Sequence, residues 1–439
     1  MSSSREATKS LLLPSKGGAN GSYSSPSSLE RAGVRFSGFW FLTLFAVEEI
    51  PAAIVTYVAL LMLLQMGLAP AEATLFSAML FIPWVLKSFM RPWVSRVGRF
   101  RAVLHIIEAL LFAALLLLAY AFSKGAIAVF FALMLVSLLC AWHELTARMY
   151  FEDVLRPSYQ RLLITPKLVC SQVAVIFTYG ALIFLVGTLQ VYFRQMPYSW
   201  AMGCYITAGL FLFFAFVHLV TLSSGQRTKD KRQQARDNRQ KTAFNRQWAS
   251  LFVLLLLLLP QGLMFHARVL YLYDTHANGG LQCTMQEIGF AQGTVGVIAF
   301  SLGIALGRWL IIRYSLQRLF WPMALSVVLS PFVYLIMTIW PPQSLWMLCL
   351  GTMSAQLLFG LGLGVCRLPV STISGARYRN TINMLQIPLV SAALFVPMAI
   401  SGWMIEQLGY GTFFLINALS APVCLLGVFL IRKILNAQK

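Results

Sequence analysis

The sequence predicts an all-α polytopic membrane protein with twelve transmembrane helices in two six-helix bundles. Three observations support this fold class. Hydrophobic residues make up 59% of the 439 residues and charged residues 11%, whereas soluble domains average about 45–50% apolar and about 25% charged residues. The apolar residues form long runs, and the basic residues concentrate at alternate ends of those runs. An ordinary water-soluble enzyme, a disordered chain and a coiled coil are therefore excluded.

Twelve apolar runs are each long enough to cross a bilayer, whose apolar core takes about 20 helical residues. Long runs that are apolar on all sides indicate helices, because a barrel strand needs about ten alternating residues. The runs lie near residues 38–66, 73–95, 102–122, 126–149, 162–189, 199–222, 248–273, 286–312, 318–340, 345–369, 382–404 and 412–434.

A polar segment between the sixth and seventh runs divides the chain into two halves. We interpret this segment as a solvated connector, with a contact to lipid headgroups or protein as the alternative. The predicted organisation is a disordered N-terminal tail (1–36), an N-terminal six-helix bundle (37–222), a basic cytoplasmic linker (223–247), a C-terminal six-helix bundle (248–434) and a short C-terminal tail (435–439).

The basic residues predict the orientation, because Lys and Arg collect in cytoplasmic loops. With the N-terminus inside, the inward loops hold the basic clusters at 91–101, 156–161 and 227–246, whereas the outward loops hold Lys124 and Arg194. Both termini are then cytoplasmic. The net charge of +20 is explained by this topology, so we expect contact with a lipid bilayer and no nucleic-acid binding.

Two adjacent acidic residues interrupt the first run. An ionisable group at bilayer depth costs several kcal/mol unless it is paired, hydrated or neutral. Glu48 and Glu49 lie about ten residues into the run, directly before Ile50 and Pro51, and neighbouring helical positions point about 100° apart. We predict that one of the two lines a cavity and carries a proton while the other is paired or protonated. The alternative is a buried carboxyl satisfied by neighbouring helices.

A second group of charged residues closes the fourth run and opens the fifth. Glu144 and Arg148 are spaced i, i+4 with the acid first, the favourable order for an ion pair, and His143 precedes them. Lys167 follows at a similar depth and competes for Glu144. These residues, with Lys87 of the second run, predict an inner gate or a substrate charge site. The alternatives are a fixed structural pair with cations that reach the membrane surface and, for Lys87, a structural anchor.

Other polar side chains within the runs are candidate substrate contacts. Such groups bind a sugar or a peptide, or they join helix to helix, and both interpretations stay open. His105 and Glu108, three residues apart in the third run, are interpreted as packing residues or as a proton relay. The candidate contacts are Gln261 and Arg268 in the seventh run, Gln292 in the eighth, Gln356 in the tenth, and Asn383 and Gln386 in the eleventh.

Two bundles of equal helix number joined by a basic linker are the plan of the major facilitator transporters, whose halves rock around a site near the bilayer midplane. Two small-x3-small patterns in the eighth run, Gly289 with Gly293 and Gly303 with Gly307, are typical of helices whose backbones approach closely. The sequence contains none of the short motifs of zinc proteases, serine hydrolases or P-loop enzymes. We therefore predict that the protein is not an enzyme and that it needs no cofactor or metal.

Five short segments carry a family resemblance. The first run contains Glu48-Glu49-Ile50-Pro51, the second contains Pro83-Trp84-Val85-Leu86-Lys87-Ser88-Phe89, and the fourth closes with His143-Glu144. With the closing Ile400-Ser401-Gly402-Trp403 and Gly409-Tyr410-Gly411-Thr412-Phe413-Phe414, these resemble the AmpG-type muropeptide permeases of the major facilitator superfamily. The sequence departs from that family at Glu49, where the family has glycine, and at Ser95, where it has an acidic residue.

The resemblance implies proton-driven import of cell-wall fragments, with anhydro-muropeptides as the typical cargo. We therefore predict a monomeric transporter of the bacterial inner membrane that uses the proton gradient, takes up a muropeptide or a related amino-sugar or peptide compound, and takes part in peptidoglycan recycling. Two alternatives stay open. The first is a major facilitator transporter of another small molecule, such as a sugar, a drug or an acyl compound. The second is a carrier-like sensor or scaffold that transports nothing.

Overall fold

The protein is described by a computed structural model that covers residues 39–155, 164–222, 244–314, 316–366, 379–420, 422–423, 425–426 and 429. Long helices dominate these ranges, and we number them in chain order. They are α1 (Phe39–Ala53, a π-helical stretch Ile54–Val58, and Ala59–Gln65), α2 (Pro70–Met79 and Ile82–Val97), α3 (Phe100–Ala121), α4 (Ala126–Val154), α5 (Ile164–Val175, a π-helical stretch Ile176–Leu182, and Ile183–Phe193), α6 (Met196–Thr221), α7 (Phe244–Tyr273), α8 (Met285–Ile288, a π-helical stretch Gly289–Gly296, and Val297–Tyr314), α9 (Leu316–Ile339), α10 (Leu345–Cys366) and α11 (Arg379–Leu419).

Ten of the helices in these ranges are long and apolar enough to cross a membrane. Helix α2 adds an eleventh span if its parts Pro70–Lys87 and Phe89–Val97, which meet at a bend of 58°, are counted together. The all-helical membrane fold predicted from the apolar runs is therefore confirmed. The count of twelve stays a prediction, because the last predicted run, 412–434, extends past the described residues, as do the predicted tails and the linker.

Helix α11 contains the eleventh predicted run and the beginning of the twelfth. Its backbone leaves helical geometry at Gly409, which has a φ of 72°, a conformation that glycine adopts without strain. Before this point Pro397 lies against Gly262 of α7. After it, the Tyr410 hydroxyl donates to Asp274 at the end of α7, and Asn417 donates to the Pro260 carbonyl. The chain thus runs to one end of α7, turns at Gly409 and returns.

Helices α5 and α8 approach backbone to backbone at their π-helical stretches. A side chain at Gly293 would overlap the Tyr179 carbonyl of α5, and one at Gly180 would come within 2.5 Å of the Thr294 hydroxyl of α8. The second glycine pair of α8, Gly303 and Gly307, lies against the backbone of α10 in the same way. Both predicted small-x3-small patterns are therefore confirmed as sites of close helix packing.

A buried carboxylate in α3 joins helices of the N-terminal half. Glu108 Oε1 lies 2.5 Å from His218 Nδ1 of α6 and 3.5 Å from His143 Nε2 of α4, and its Oε2 lies 3.5 Å from His105 Nδ1. His218 Nε2 is in turn 3.1 Å from the Thr43 hydroxyl of α1. Glu108, His143 and His218 are each at most 1% exposed. His143, predicted as part of an inner gate, therefore belongs to this packed network.

At one end of the helices, the two halves of the chain are in close contact. The Ala71 N–H at the start of α2 donates to Glu406 Oε1 of α11 at 2.8 Å, and Gly402 of α11 packs against the Pro70 carbonyl. Gly187 of α5 packs against Met285 of α8 in the same region. The charge distribution predicts that this end faces away from the cytoplasm, and we call it the outer end. These contacts form what we call the outer seal.

We predict that Gly293→Ala lowers the melting temperature of the purified protein by several degrees, because an added methyl group would force α5 and α8 apart at the Tyr179 carbonyl. The matched control is Gly209→Ala in α6, where an added methyl group meets no atom within 4 Å and helix propensity favours alanine by about 1 kcal/mol. Equal melting temperatures for wild type and Gly293→Ala would contradict the close approach.

Replacing Glu108 is expected to cost far more stability than replacing an acidic residue at the surface. Glu108→Ala leaves three histidines around an empty site, and breaking a buried charged pair costs about 3–5 kcal/mol. Glu152→Ala removes a carboxylate that lies 3.3 Å from Arg148 in a partly exposed pair, which is worth about 0–1 kcal/mol. Thermal unfolding of both variants tests this, and equal losses would show that the Glu108 network adds no stability.

Candidate functional site

Five ionisable side chains from α1, α2, α4 and α5 lie together inside the N-terminal half. They are Glu48, Glu49, Lys87, Glu144 and Lys167, and we call them the carboxylate–lysine cluster. The tightest pair joins Lys87 Nζ to Glu144 Oε1 at 2.5 Å, and the Trp84 indole N–H donates to Glu144 Oε2 at 3.1 Å. Lys87 is buried, so this pair has the partners that charges need away from water.

The second pair of the cluster is looser. Lys167 Nζ lies 3.9 Å from Glu48 Oε1 and 4.1 Å from the centre of the Phe45 ring. The Lys167 side chain is 36% exposed, whereas that of Glu48 is 7% exposed. Glu48 Oε2 is buried without a hydrogen-bond partner in the described part of the chain. The Lys167–Glu48 pair is therefore long and partly exposed, so its distance can change. The Lys87–Glu144 pair is short and enclosed.

Glu49 is the third carboxylate of the cluster. It lies within hydrogen-bonding range of the Ser171 hydroxyl and within electrostatic range of Glu48, Glu144 and Lys167. The cluster thus contains three carboxylates and two lysines. With all five side chains ionised, the cluster carries one excess negative charge, which one bound proton would neutralise.

A polar and aromatic group lies between the cluster and the outer seal. Tyr57 of α1 stacks on Tyr179 of α5 with a centroid distance of 5.1 Å and on Phe265 of α7 at 5.8 Å. The Arg268 guanidinium lies 5.1 Å from the centre of the Phe265 ring. We call Tyr57, Tyr179, Phe265 and Arg268, together with Tyr334 of α9, the Arg268 group. Both halves of the chain contribute to it.

The predicted amide contacts fall into two classes. Gln292 Nε2 donates to the Tyr334 hydroxyl at 2.6 Å, and Gln356 Nε2 lies 3.4 Å from Gln292 Oε1, so these two glutamines lie beside the Arg268 group. Gln261 instead donates to the Val327 carbonyl at 3.0 Å and is buried, which fits the alternative that it joins α7 to α9. The side chains of Asn383 and Gln386 lie outside the described residues.

The predicted pair between Glu144 and Arg148 is wrong. Glu144 binds Lys87 of α2, while Arg148 Nε lies 3.3 Å from Glu152 Oε1, one turn further along α4 and partly exposed. An i, i+4 spacing permits the predicted pair, but α2 places a lysine closer to the buried face of α4. Lys87 is 6% exposed and binds Glu144, an arrangement compatible both with the predicted charge site and with the alternative of a structural anchor.

The three tyrosines of the Arg268 group were not predicted from the sequence. Tyr57, Tyr179 and Tyr334 lie within apolar runs, where an aromatic residue is most simply interpreted as packing. A usable signal existed, because tyrosine in membrane helices concentrates at the interfaces. Tyr57 lies eight residues from the end of α1 at Gln65, or about 12 Å along the helix.

Comparisons with known proteins identify the fold of the chain. No protein-family model matches the chain, and no curated protein sequence matches it. Among solved structures, a bacterial homologue of the human lysosomal transporter Spinster, in an inward-facing and unoccupied conformation, superposes with a TM-score of 0.72 at 14% identity, covering 91% of this chain and 97% of that chain. The nucleoside transporter NupG superposes with a TM-score of 0.65 at 14% identity, covering 90% of this chain and 97% of that chain.

A D-xylose–proton symporter also matches, with a TM-score of 0.62 at 14% identity, and covers 89% of this chain and 95% of that chain. These structures have the major facilitator fold. At such low identity a structural match establishes the fold and leaves the cargo open. This chain therefore has the major facilitator fold over about nine-tenths of its length.

Proposed function

We propose that the protein is a secondary active transporter that carries a small solute and protons together through a site between its two halves. The observation that carries this proposal is the carboxylate–lysine cluster, whose three carboxylates face two lysines inside membrane helices. An excess carboxylate at this depth is costly. A protein that needs only to fold would gain stability from apolar residues there, whereas a proton-coupled carrier requires a group that can be charged and neutral in turn.

Changes in ion pairing connect the proton to movement of the helices. With the excess carboxylate ionised, both Glu48 and Glu49 attract Lys167 of α5. When one of them holds a proton, this attraction weakens and Lys167, which is partly exposed, is freer to leave. The affinity for a proton therefore differs between two arrangements of α1 and α5. Such a difference in affinity allows a bound ligand to shift a conformational equilibrium. The tighter Lys87–Glu144 pair holds α2 to α4 throughout.

The proposed cargo is a muropeptide or a related amino-sugar or peptide fragment of the cell wall, imported across the bacterial inner membrane. This choice rests on the sequence resemblance to AmpG-type permeases, since the structural neighbours are described as transporters of nucleosides, xylose and peptides. Amides and hydroxyls beside the Arg268 group, including Gln292 and Gln356, supply the hydrogen bonds that such a cargo needs. Cytoplasmic termini follow from the positive-inside rule.

Uptake of a radiolabelled anhydro-muropeptide into proteoliposomes tests the proposal. We expect wild type to accumulate the solute when the outside is more acidic. In Glu48→Gln or Glu49→Gln we expect gradient-driven uptake to fall at least about tenfold. A permanently neutral amide can no longer bind and release a proton, although solute exchange without a gradient is retained. Glu72→Gln, at an exposed position in the first turn of α2, is the matched control. Uptake by wild type and both variants that is independent of the gradient would contradict proton coupling.

The buried Lys87–Glu144 pair gives a second prediction. Each single variant, Lys87→Met or Glu144→Gln, leaves one buried charge without its partner and is expected to cost about 3–5 kcal/mol of stability. The double variant removes both charges and is expected to recover at least half of that loss. A decrease in melting temperature of the double variant that equals the sum of the two single decreases would show that the two side chains do not act as a pair.

A further inference from the structure

We propose that Arg268 binds a negatively charged group on the transported solute, so that the cargo of this protein is an organic oxyanion. This inference rests on the proposed transport function and specifies the chemical class of the solute. It follows from the charge and hydrogen-bond partners of the Arg268 group.

Arg268 is a buried cation without a counter-ion in the described part of the chain. The residue is 9% exposed, and its Nε is buried without a hydrogen-bond partner. Its described contact is the face of the Phe265 ring. The two buried or partly buried lysines of the neighbouring cluster, Lys87 and Lys167, each have a carboxylate partner. An unpaired charge at such a position is expensive, and an anion supplied from outside would remove this cost.

The groups around Arg268 offer hydrogen-bond donors. The Tyr179 hydroxyl is buried without a partner and lies within electrostatic range of Arg268. The Tyr334 hydroxyl, also within that range, accepts from Gln292 Nε2, and its own proton therefore stays available. A guanidinium and two hydroxyl donors in one neighbourhood suit an oxyanion, because ionised oxygens accept several such bonds and bind arginine in a forked geometry.

The carboxylates of the neighbouring cluster do not fill this role. In the described part of the chain no ion pair joins Arg268 to a carboxylate of the cluster, whereas Glu144 pairs with Lys87 and Glu48 with Lys167. The charges that act most strongly on Glu49 are those of Glu48, Glu144 and Lys167. The solute therefore supplies the counter-charge.

The position of the Arg268 group suits a transported ligand. Tyr57 and Tyr179 come from α1 and α5, whereas Arg268 and Tyr334 come from α7 and α9. An anion that binds all of them links the two halves of the protein. The group lies on the inner side of the outer seal, where His266 Nε2 also meets the Ser77 hydroxyl of α2 at 3.2 Å. Binding of an anion at the Arg268 group would therefore change the contacts between the two halves on the inner side of the outer seal.

Three amino sugars with the same ring test whether the protein prefers a charged or a neutral ligand. N-acetylmuramate carries a carboxylate, N-acetylglucosamine 6-phosphate carries a phosphate, and N-acetylglucosamine carries neither. Their binding to the full-length protein in detergent is measured by thermal shift and by isothermal titration at equal ionic strength. We expect saturable binding of N-acetylmuramate or of the phosphate, or of both, at least tenfold tighter than that of the neutral sugar. The stronger of the two responses identifies carboxylate or phosphate as the preferred oxyanion.

Variants then assign the binding to Arg268. Arg268→Gln is expected to weaken the charged probe about 10- to 100-fold, the effect of losing a charge-assisted hydrogen bond, and to leave the neutral sugar unchanged. Arg96→Gln, at an exposed position of α2, removes the same charge elsewhere and should bind as wild type does. If Arg268→Gln does not fold, Tyr179→Phe serves instead. It should weaken the charged probe several-fold without lowering the melting temperature of the free protein.

Three results would overturn the inference. They are equal affinity for charged and neutral sugars, wild-type affinity for the charged probe in both Arg268→Gln and Tyr179→Phe, and no saturable response of wild type to either charged sugar. Because binding is measured without a gradient, the two proposals fail separately. Absence of gradient-driven uptake by wild type with Arg268-dependent binding intact would refute transport alone. Gradient-driven uptake of the charged sugar by Arg268→Gln at the wild-type rate would refute the anion site alone.

Discussion

Every notable feature of this protein depends on the cost of placing charge inside a membrane. A carboxylate or a cation at bilayer depth is tolerated when a partner, a bound proton or water compensates it. Glu108 is compensated by histidines, Glu144 by Lys87 and Trp84, and Glu48 by Lys167. Glu49 and Arg268 remain without a comparable partner in the described residues. The proposed transport cycle assigns a proton to the first excess charge and the anionic solute to the second.

The fold positions these charges through close helix contacts. Glycines at 180 and 293 bring the π-helical stretches of α5 and α8 together. Tyr179 of the Arg268 group lies at this crossing. π-Helical turns within α-helices are frequent at functional sites. Here α1, α5 and α8 each contain one. At the outer end, Glu406 and Gly402 hold α11 to α2. An apolar cluster of Ala78 and Phe81 of α2 with Met398 of α11 adds to these contacts.

The sequence predicted more of the fold than of the site, and the reason is physical. Apolar runs reveal spans directly, and charged residues within them reveal which positions need compensation. Glu48 with Glu49, and Glu144 with Lys167, were therefore predicted as two separate groups, and the structure joins them in one cluster. Partner choice depends on which helix packs against which, so Glu144 was assigned to Arg148 although Lys87 of α2 is its partner. The position of Tyr57 far from the end of its helix marks it as unusual, but the sequence does not reveal that Arg268 of another helix lies beside it, because that depends on helix packing.

The central claim is that the carboxylate–lysine cluster controls which end of the protein is open. Hydrogen–deuterium exchange in lipid nanodiscs tests it most directly, by comparing wild type with the Glu48→Gln/Glu49→Gln double variant at one pH. The account predicts reciprocal changes, in which exchange at the outer seal, residues 66–74 and 400–411, moves in one direction while exchange at the opposite ends of α1 and α5 moves in the other. Unchanged exchange at both ends, or a parallel change at both, would contradict the account.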